Sequence, residues 1–68
     1  MINVINIRKS DGVKVVADLI ADSKAEFNGQ PAINGLNEDA QLQLGSTVLT
    51  ADGEYAICNS QGAWVWAE

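Results

Sequence analysis

The chain has 68 residues, a net charge of -5, one cysteine and no histidine. A chain of this length forms one domain and buries only about 60% of the surface exposed by its unfolded state. It has neither the cysteines for an internal disulfide nor the ligands of a standard zinc site, and its acidity opposes contact with nucleic-acid phosphates. We therefore expect a single domain over residues 1–68 that is stabilised by forming a homo-oligomer or by docking on a larger structure.

The N-terminal third predicts a β-hairpin. Met1 to Ile7 is rich in isoleucine and valine, and these residues would point to both faces of a strand. This pattern is typical of a strand that is covered on both faces. A turn is predicted over residues 8–12, and the Asp11-Gly12 pair is the strongest indication of it. Val13 to Leu19 begins by alternating as a strand does, and we interpret it as the returning strand, although residues 17–26 would suit a helix by propensity.

The middle of the chain predicts turns that are held to the core by single apolar residues. Residues 22–29 predict a loop or one helical turn. Gln30 to Asn37 contains the only proline and an Asn-Gly pair, and Ile33 and Leu36 on either side of that pair are expected to reach the core. Residues 38–40 predict an exposed acidic bend. The alternation in residues 41–44 predicts a short strand with Leu42 and Leu44 facing inward.

The last third predicts three antiparallel strands over residues 46–51, 54–58 and 63–67. Asp52-Gly53 is a strong signal for a two-residue hairpin turn, and residues 59–62 form a polar four-residue loop. Short strands at regular spacing with turns between them are typical of all-β proteins. We predict a small antiparallel β-sandwich or barrel of about five to six short strands, with a C-terminal three-strand meander.

Four large side chains of this meander are the candidate anchors of the domain. If its strands pair across the polar loop, Tyr55, Ile57, Trp64 and Trp66 are expected to share one face of the sheet. Aromatic side chains of this size either fill a small core or anchor an interface. Both interpretations stay open at this point, because a partner surface could serve as the missing half of the core.

No arrangement of residues in the chain points to catalysis. Without histidine, the candidate acids and bases are carboxylates, and most of them fall in turns, where acids are common. Asp18, Asp22 and Glu26 recur every four residues and would line one face of a helix, but they do not match a calcium loop, so a solvated acidic face is favoured. We predict no enzyme activity, no metal, no cofactor and no small-molecule substrate.

Two further features bear on the environment of the protein. Cys58 lies between apolar strand residues and is expected to be a small buried hydrophobic side chain. No apolar run approaches the roughly 20 residues that a membrane-spanning helix needs, and the start of the chain lacks the apolar segment of a signal peptide. We therefore expect no membrane contact and maturation in a cytosol.

The stretch from Gly45 to Trp66 also has an ordered set of short motifs. Gly-Ser-Thr is followed by a hydrophobic strand, an Asp-Gly turn, a strand with an aromatic residue, and Gly-x-Trp-x-Trp. This arrangement resembles the C-terminal unit of small structural proteins of tailed bacteriophages and prophages, among them head-decoration and head-fibre-like proteins. The matching residues are Gly45, Ser46, Thr47, Asp52, Gly53, Tyr55, Gly62, Trp64 and Trp66.

The resemblance implies a structural role and no activity. The expected function is that of a virion accessory protein that decorates or cements the capsid surface through contacts with the major capsid protein or another virion protein. Its expected location is the virion, and the host cytoplasm during assembly. The alternative is a small acidic phage-encoded inhibitor that binds a host protein as a DNA mimic. The net charge motivates that alternative, but the acids are spread through turns and not set in phosphate-like rows.

Overall fold

A computed structural model describes residues 1–29 and 31–67; Gln30, where the predicted central turn begins, and Glu68 lie outside the described residues. The described chain forms six β-strands and one turn of 3₁₀ helix, so the predicted all-β class and number of strands are confirmed. The elements are β1 (Asn3–Asp11), β2 (Lys14–Ala21), the 3₁₀ helix (Lys24–Phe27), β3 (Gln41–Leu42), β4 (Thr47–Thr50), β5 (Tyr55–Cys58) and β6 (Trp64–Trp66).

All six strands belong to one open sheet with the order β1-β2-β4-β5-β6, and β3 lies beside the start of β2. The predicted three-strand meander is confirmed in β4, β5 and β6, which pair antiparallel. The sheet is mixed, however, because β2 pairs parallel with both β3 and β4. A parallel neighbour requires the chain to cross over the sheet. Residues 22–29 and 31–40 lie on that crossing and form the second layer of the fold. This layer is a loop with one 3₁₀ turn, whereas the sequence predicted a sandwich or a barrel.

The predicted N-terminal hairpin is confirmed, and its strands are longer than expected. Gly12 and Val13 form the two-residue turn, and Asp11 pairs with Lys14. The pairing register shifts twice along β1, between Val4 and Asn6 and between Ile7 and Lys9. Bulges of this kind twist an exposed strand edge and disfavour its pairing with other chains.

One face of the sheet, the inner face, is covered by the crossover. Its buried core consists mostly of small side chains, with Leu19 and Val48 as the largest apolar residues that are fully buried. From the crossover, Phe27, Ile33 and Leu36 pack against this core, which confirms the prediction for the last two. The buried core residues are Ile2, Val15, Ala17, Leu19, Ala21, Val48 and Ala56.

The two leucines predicted to face inward from residues 41–44 separate. Leu42 packs against the core, but Leu44 is 62% exposed. The prediction for Leu44 is wrong because β3 ends at Leu42 and the chain turns before β4 begins. Buried Ser46 joins β4 to β2 after this turn, since its hydroxyl accepts a hydrogen bond from the Ala17 amide at 3.2 Å.

The four predicted anchors do not share a face, which corrects the expectation from the sequence. Trp64 pairs with Cys58 and Trp66 with Ala56, so both indoles lie on the inner face, while Tyr55 and Ile57 point to the opposite face. A four-residue loop would have paired residue 57 with residue 64. The loop instead has three residues, because residue 59 pairs with residue 63, and a shift of one residue moves every side chain to the other face.

Both turns of the meander have the same three-residue design. In each, a glycine with positive φ donates its amide to the carbonyl three residues earlier: Gly53 to Thr50 at 3.1 Å, and Gly62 to Asn59 at 3.0 Å. The side chains of Thr50 and Asn59 then accept a hydrogen bond from the amide four residues later. The first turn is therefore one residue longer than the two-residue Asp-Gly turn that the sequence predicted.

We expect Leu19→Ala to lower the free energy of unfolding by about 2–5 kcal/mol, because it removes one of the few large side chains of the core and leaves a cavity. Leu44→Ala is the matched control, and its effect should stay within about 0.5 kcal/mol since that leucine is exposed. Urea unfolding monitored by tryptophan fluorescence measures both. Similar losses for the two variants would contradict this assignment of the core.

The glycine of the first meander turn can be tested with two substitutions. Gly53 has φ +89°, a region that costs an ordinary residue about 1–2 kcal/mol, so Gly53→Ala should destabilise the domain by about that amount. Gly53→Asn should cost clearly less, because asparagine tolerates this conformation. Thermal unfolding of the two variants gives the comparison, and equal losses would argue against a positive φ at this position.

Candidate protein-interaction face

The second face of the sheet, the outer face, carries a continuous group of exposed apolar side chains. The pairing register places Ile20 beside Leu49, Leu49 beside Tyr55, and Ile57 beside Val65, so the group crosses β2, β4, β5 and β6 without a break. We call these five residues the open sheet face. They are between 39% and 56% exposed.

The strand sequences explain why this face is apolar. In β5, small Ala56 and Cys58 point inward, while the larger Tyr55 and Ile57 point outward. In β2, Ala21 points inward and Ile20 outward. Large apolar side chains thus lie where no part of the described chain covers them. A soluble monomer seldom exposes a large contiguous apolar patch, and such patches mark interaction sites.

A polar cluster fixes the neighbouring part of the outer face. The Arg8 guanidinium lies 3.0 Å from the Asp18 carboxylate, and the Thr47 hydroxyl donates a hydrogen bond to that carboxylate at 2.7 Å. Arg8 also donates to the Gly45 carbonyl. The hydrogen bond from Thr47, together with weaker contributions from Asn6 and Arg8, lowers the pKa of Asp18 below its ordinary value. The cluster joins β1, β2 and β4 beside the open sheet face.

Charge is unevenly placed on the outer face. No charged residue belongs to the open sheet face, which is built from four aliphatic side chains and one tyrosine. Among residues 1–29 and 31–67, the charged side chains of the outer face lie nearer the tip of the β1-β2 hairpin and comprise three cations and two anions: Arg8, Lys9, Lys14, Asp11 and Asp18. Most acids of the chain therefore lie elsewhere, in the crossover and the turns.

The structure brings two of the four predicted anchors into the open sheet face and packs the other two, half-buried, against the core. Tyr55 and Ile57 are exposed there. Phe27 packs against both indoles of the inner face, with ring centroids 5.6 Å from Trp64 and 5.5 Å from Trp66 in edge-to-face geometry. This phenylalanine was missed by sequence reasoning because it stands alone in a polar loop.

Three residues of the open sheet face were not singled out from the sequence. Ile20, Leu49 and Val65 lie on three different strands and meet only through the pairing of the sheet. The available signal was that apolar residues occupy both alternating sets of positions along the strands, so that they point to both faces of the sheet. That pattern predicts burial on both faces. The described chain covers only one of those faces.

The carboxylates that recur every four residues are divided between two places: Asp18 contacts Thr47 on the outer face, whereas Asp22 and Glu26 both contact the Met1 amino group. Because residues 14–21 form a strand, Asp18 contacts Thr47 and Arg8, whereas Glu26 accepts hydrogen bonds from the amides of Asp22 and Ser23. The Met1 amino group also contacts Glu26, and these contacts lower the pKa of the Glu26 carboxyl. Within residues 1–29 and 31–67, no group of three or more potential metal ligands is found.

Two other sequence-based expectations concern Cys58 and the membrane. Cys58 is fully buried on the inner face, as predicted, and burial raises the pKa of its thiol. Among the described residues, no helix has the length and apolar character required to span a bilayer.

Comparison of the chain with protein-family models, with curated proteins and with solved structures finds no match. The resemblance of Gly45–Trp66 to phage structural proteins therefore stays a prediction from the sequence.

The Asp18 cluster predicts a dependence of stability on pH. A carboxyl whose pKa is lowered by folding stabilises the folded state above its unfolded pKa of about 3.9. That contribution is lost as the pH falls through the lower pKa of the folded state. Asp18→Asn should be less stable than wild type at pH 7, and the difference should shrink below pH 4. Urea unfolding between pH 7 and 2 measures this.

Asp39→Asn serves as the control for the pH series, because Asp39 lies exposed in the crossover. Its stability should follow the wild-type pH dependence. A constant difference between wild type and Asp18→Asn at every pH would contradict a role for the ionised Asp18 carboxylate.

Proposed function

We propose that this protein is a structural accessory subunit of a bacteriophage virion, which decorates or cements the capsid surface through protein–protein contacts. The observation that carries the proposal is the open sheet face, an apolar surface of five residues that the described chain leaves uncovered. Such a surface is typical of a domain that works in association with other protein chains, whether further copies of itself or virion proteins. The resemblance of the C-terminal unit to phage structural proteins supplies the class of assembly.

The size of the domain supports a role that depends on association. Its core contains mainly alanine and valine, with Leu19 as the one fully buried leucine. Small domains of this kind gain stability by docking on a larger structure. On a capsid, many copies would bind neighbouring sites, and avidity would multiply a modest contact. The proposed partner is the major capsid protein or another virion protein.

The DNA-mimic alternative has less support from the positions of the acids. Asp18 is paired with Arg8, Glu26 contacts backbone amides, and Asp52 contacts the Thr50 hydroxyl. These carboxylates hold local structure together. Exposed Glu38 and Asp39 lie in the crossover, so the described acids do not form the long rows with which a protein imitates a phosphate backbone.

The test is quantitative mass spectrometry of purified, DNA-filled particles from the phage or induced prophage that encodes the protein. We expect the protein in copy numbers comparable to those of the capsid protein. A handful of copies would place it at a portal, neck, fibre or tail position and would overturn the decoration role. Complete absence from particles, with abundant protein in the infected cell, would reject the virion assignment and favour the host inhibitor.

A further inference from the structure

We propose that the open sheet face is covered by a second copy of this chain, so that two sheets pack outer face to outer face as a β-sandwich. The inference deepens the proposed function, because it names the partner of that face, but it can be tested on the isolated protein. The capsid would then bind another surface of the dimer.

The layers of the fold leave the outer face without a cover. A sheet that is apolar on both faces is stable when both faces are buried. The crossover from β2 to β3 contributes Phe27, Ile33 and Leu36 to the inner face alone. The described chain thus supplies one covering layer, and the outer face needs another. A second sheet with the same flat apolar surface matches it, as in sandwiches whose sheets pack about 10 Å apart.

The distribution of charge favours contact between two copies at the open sheet face. The chain carries a net charge of -5, so two copies repel each other over most of their surfaces. The open sheet face is the exception, since none of its five residues is charged. The nearest charged cluster pairs Arg8 with Asp18 in the same chain. Two copies that meet at this face bury no unpaired charge, which is the condition for a favourable apolar contact.

The area of the face and the symmetry of a contact between identical surfaces both favour a dimer. A standard interface buries about 800 Å² on each partner. This is less than a fifth of the 4520 Å² of accessible surface of the chain, and one broad side of an open sheet can supply it. A contact between identical surfaces closes with two-fold symmetry and leaves no free copy of the face for further growth. The expected species is therefore a dimer.

The test is sedimentation equilibrium of the full chain from micromolar to millimolar concentration. Wild type should approach twice the 7.2 kDa of one chain. Leu49→Glu places a carboxylate in the middle of the contact and should raise the dimer dissociation constant at least about 100-fold. Leu44→Glu, at an exposed leucine outside the open sheet face, should sediment like wild type. Far-UV circular dichroism checks that the variants are folded.

A second measurement needs no variant. Solvent paramagnetic relaxation by a soluble gadolinium chelate reports how exposed each methyl group is. In the dimer, the methyl groups of Leu49, Ile57 and Val65 should be shielded at high concentration, while those of Leu44 stay exposed. This result would support the dimer even if Leu49→Glu failed to fold.

Three outcomes would overturn the proposal: a monomer at every concentration, an oligomer that Leu49→Glu leaves intact, or an oligomer in which the three shielded residues are as exposed as Leu44. If the isolated chain is monomeric but abundant in particles, the proposed function stands and a virion protein covers the face. If the chain dimerises but is absent from particles, the dimer stands and the virion role fails.

Discussion

The parallel pairing of β2 with β4 is the constraint on which the rest of the structure depends. Parallel neighbours cannot be joined by a tight turn, so the chain must travel back along the sheet before β4 begins. That return path brings Phe27, Ile33 and Leu36 over the inner face. Buried Ser46 then satisfies the Ala17 amide where β4 starts beside β2. One topological requirement therefore produces the covering layer and fixes where the core lies.

The same constraint leaves the outer face open. A chain of 68 residues has one crossover, which covers one side, while its strands carry large apolar residues toward both sides. None of the five members of the open sheet face is charged, so the face is an exposed apolar surface. The proposed dimer and the proposed virion role both start from this surface. The dimer needs only the open sheet face, whereas a dimer that also binds a capsid needs a second binding surface elsewhere on the molecule.

Much of the local structure was predictable. The two Asp-Gly pairs mark the β1-β2 and β4-β5 hairpins, most strand residues of the meander are β-branched or aromatic, and Ile33 and Leu36 reach the core from either side of their turn. The candidate site was only half predictable. Tyr55 and Ile57 belong to the open sheet face, but Trp64 and Trp66 do not, because a loop shorter by one residue reverses the face on which the tryptophans lie.

Composition and turn chemistry in the sequence by themselves determined an all-β domain with no histidine chemistry, a buried Cys58 and a C-terminal meander. These properties depend on residues close together in the chain, where propensity and glycine conformation act directly. Only the tertiary structure decided that the sheet is single and mixed, that Phe27 packs edge-to-face against both indoles, and that Ile20, Leu49 and Val65 meet on one surface. Those features depend on strand register and on a parallel pairing between distant segments, and local sequence patterns do not encode either.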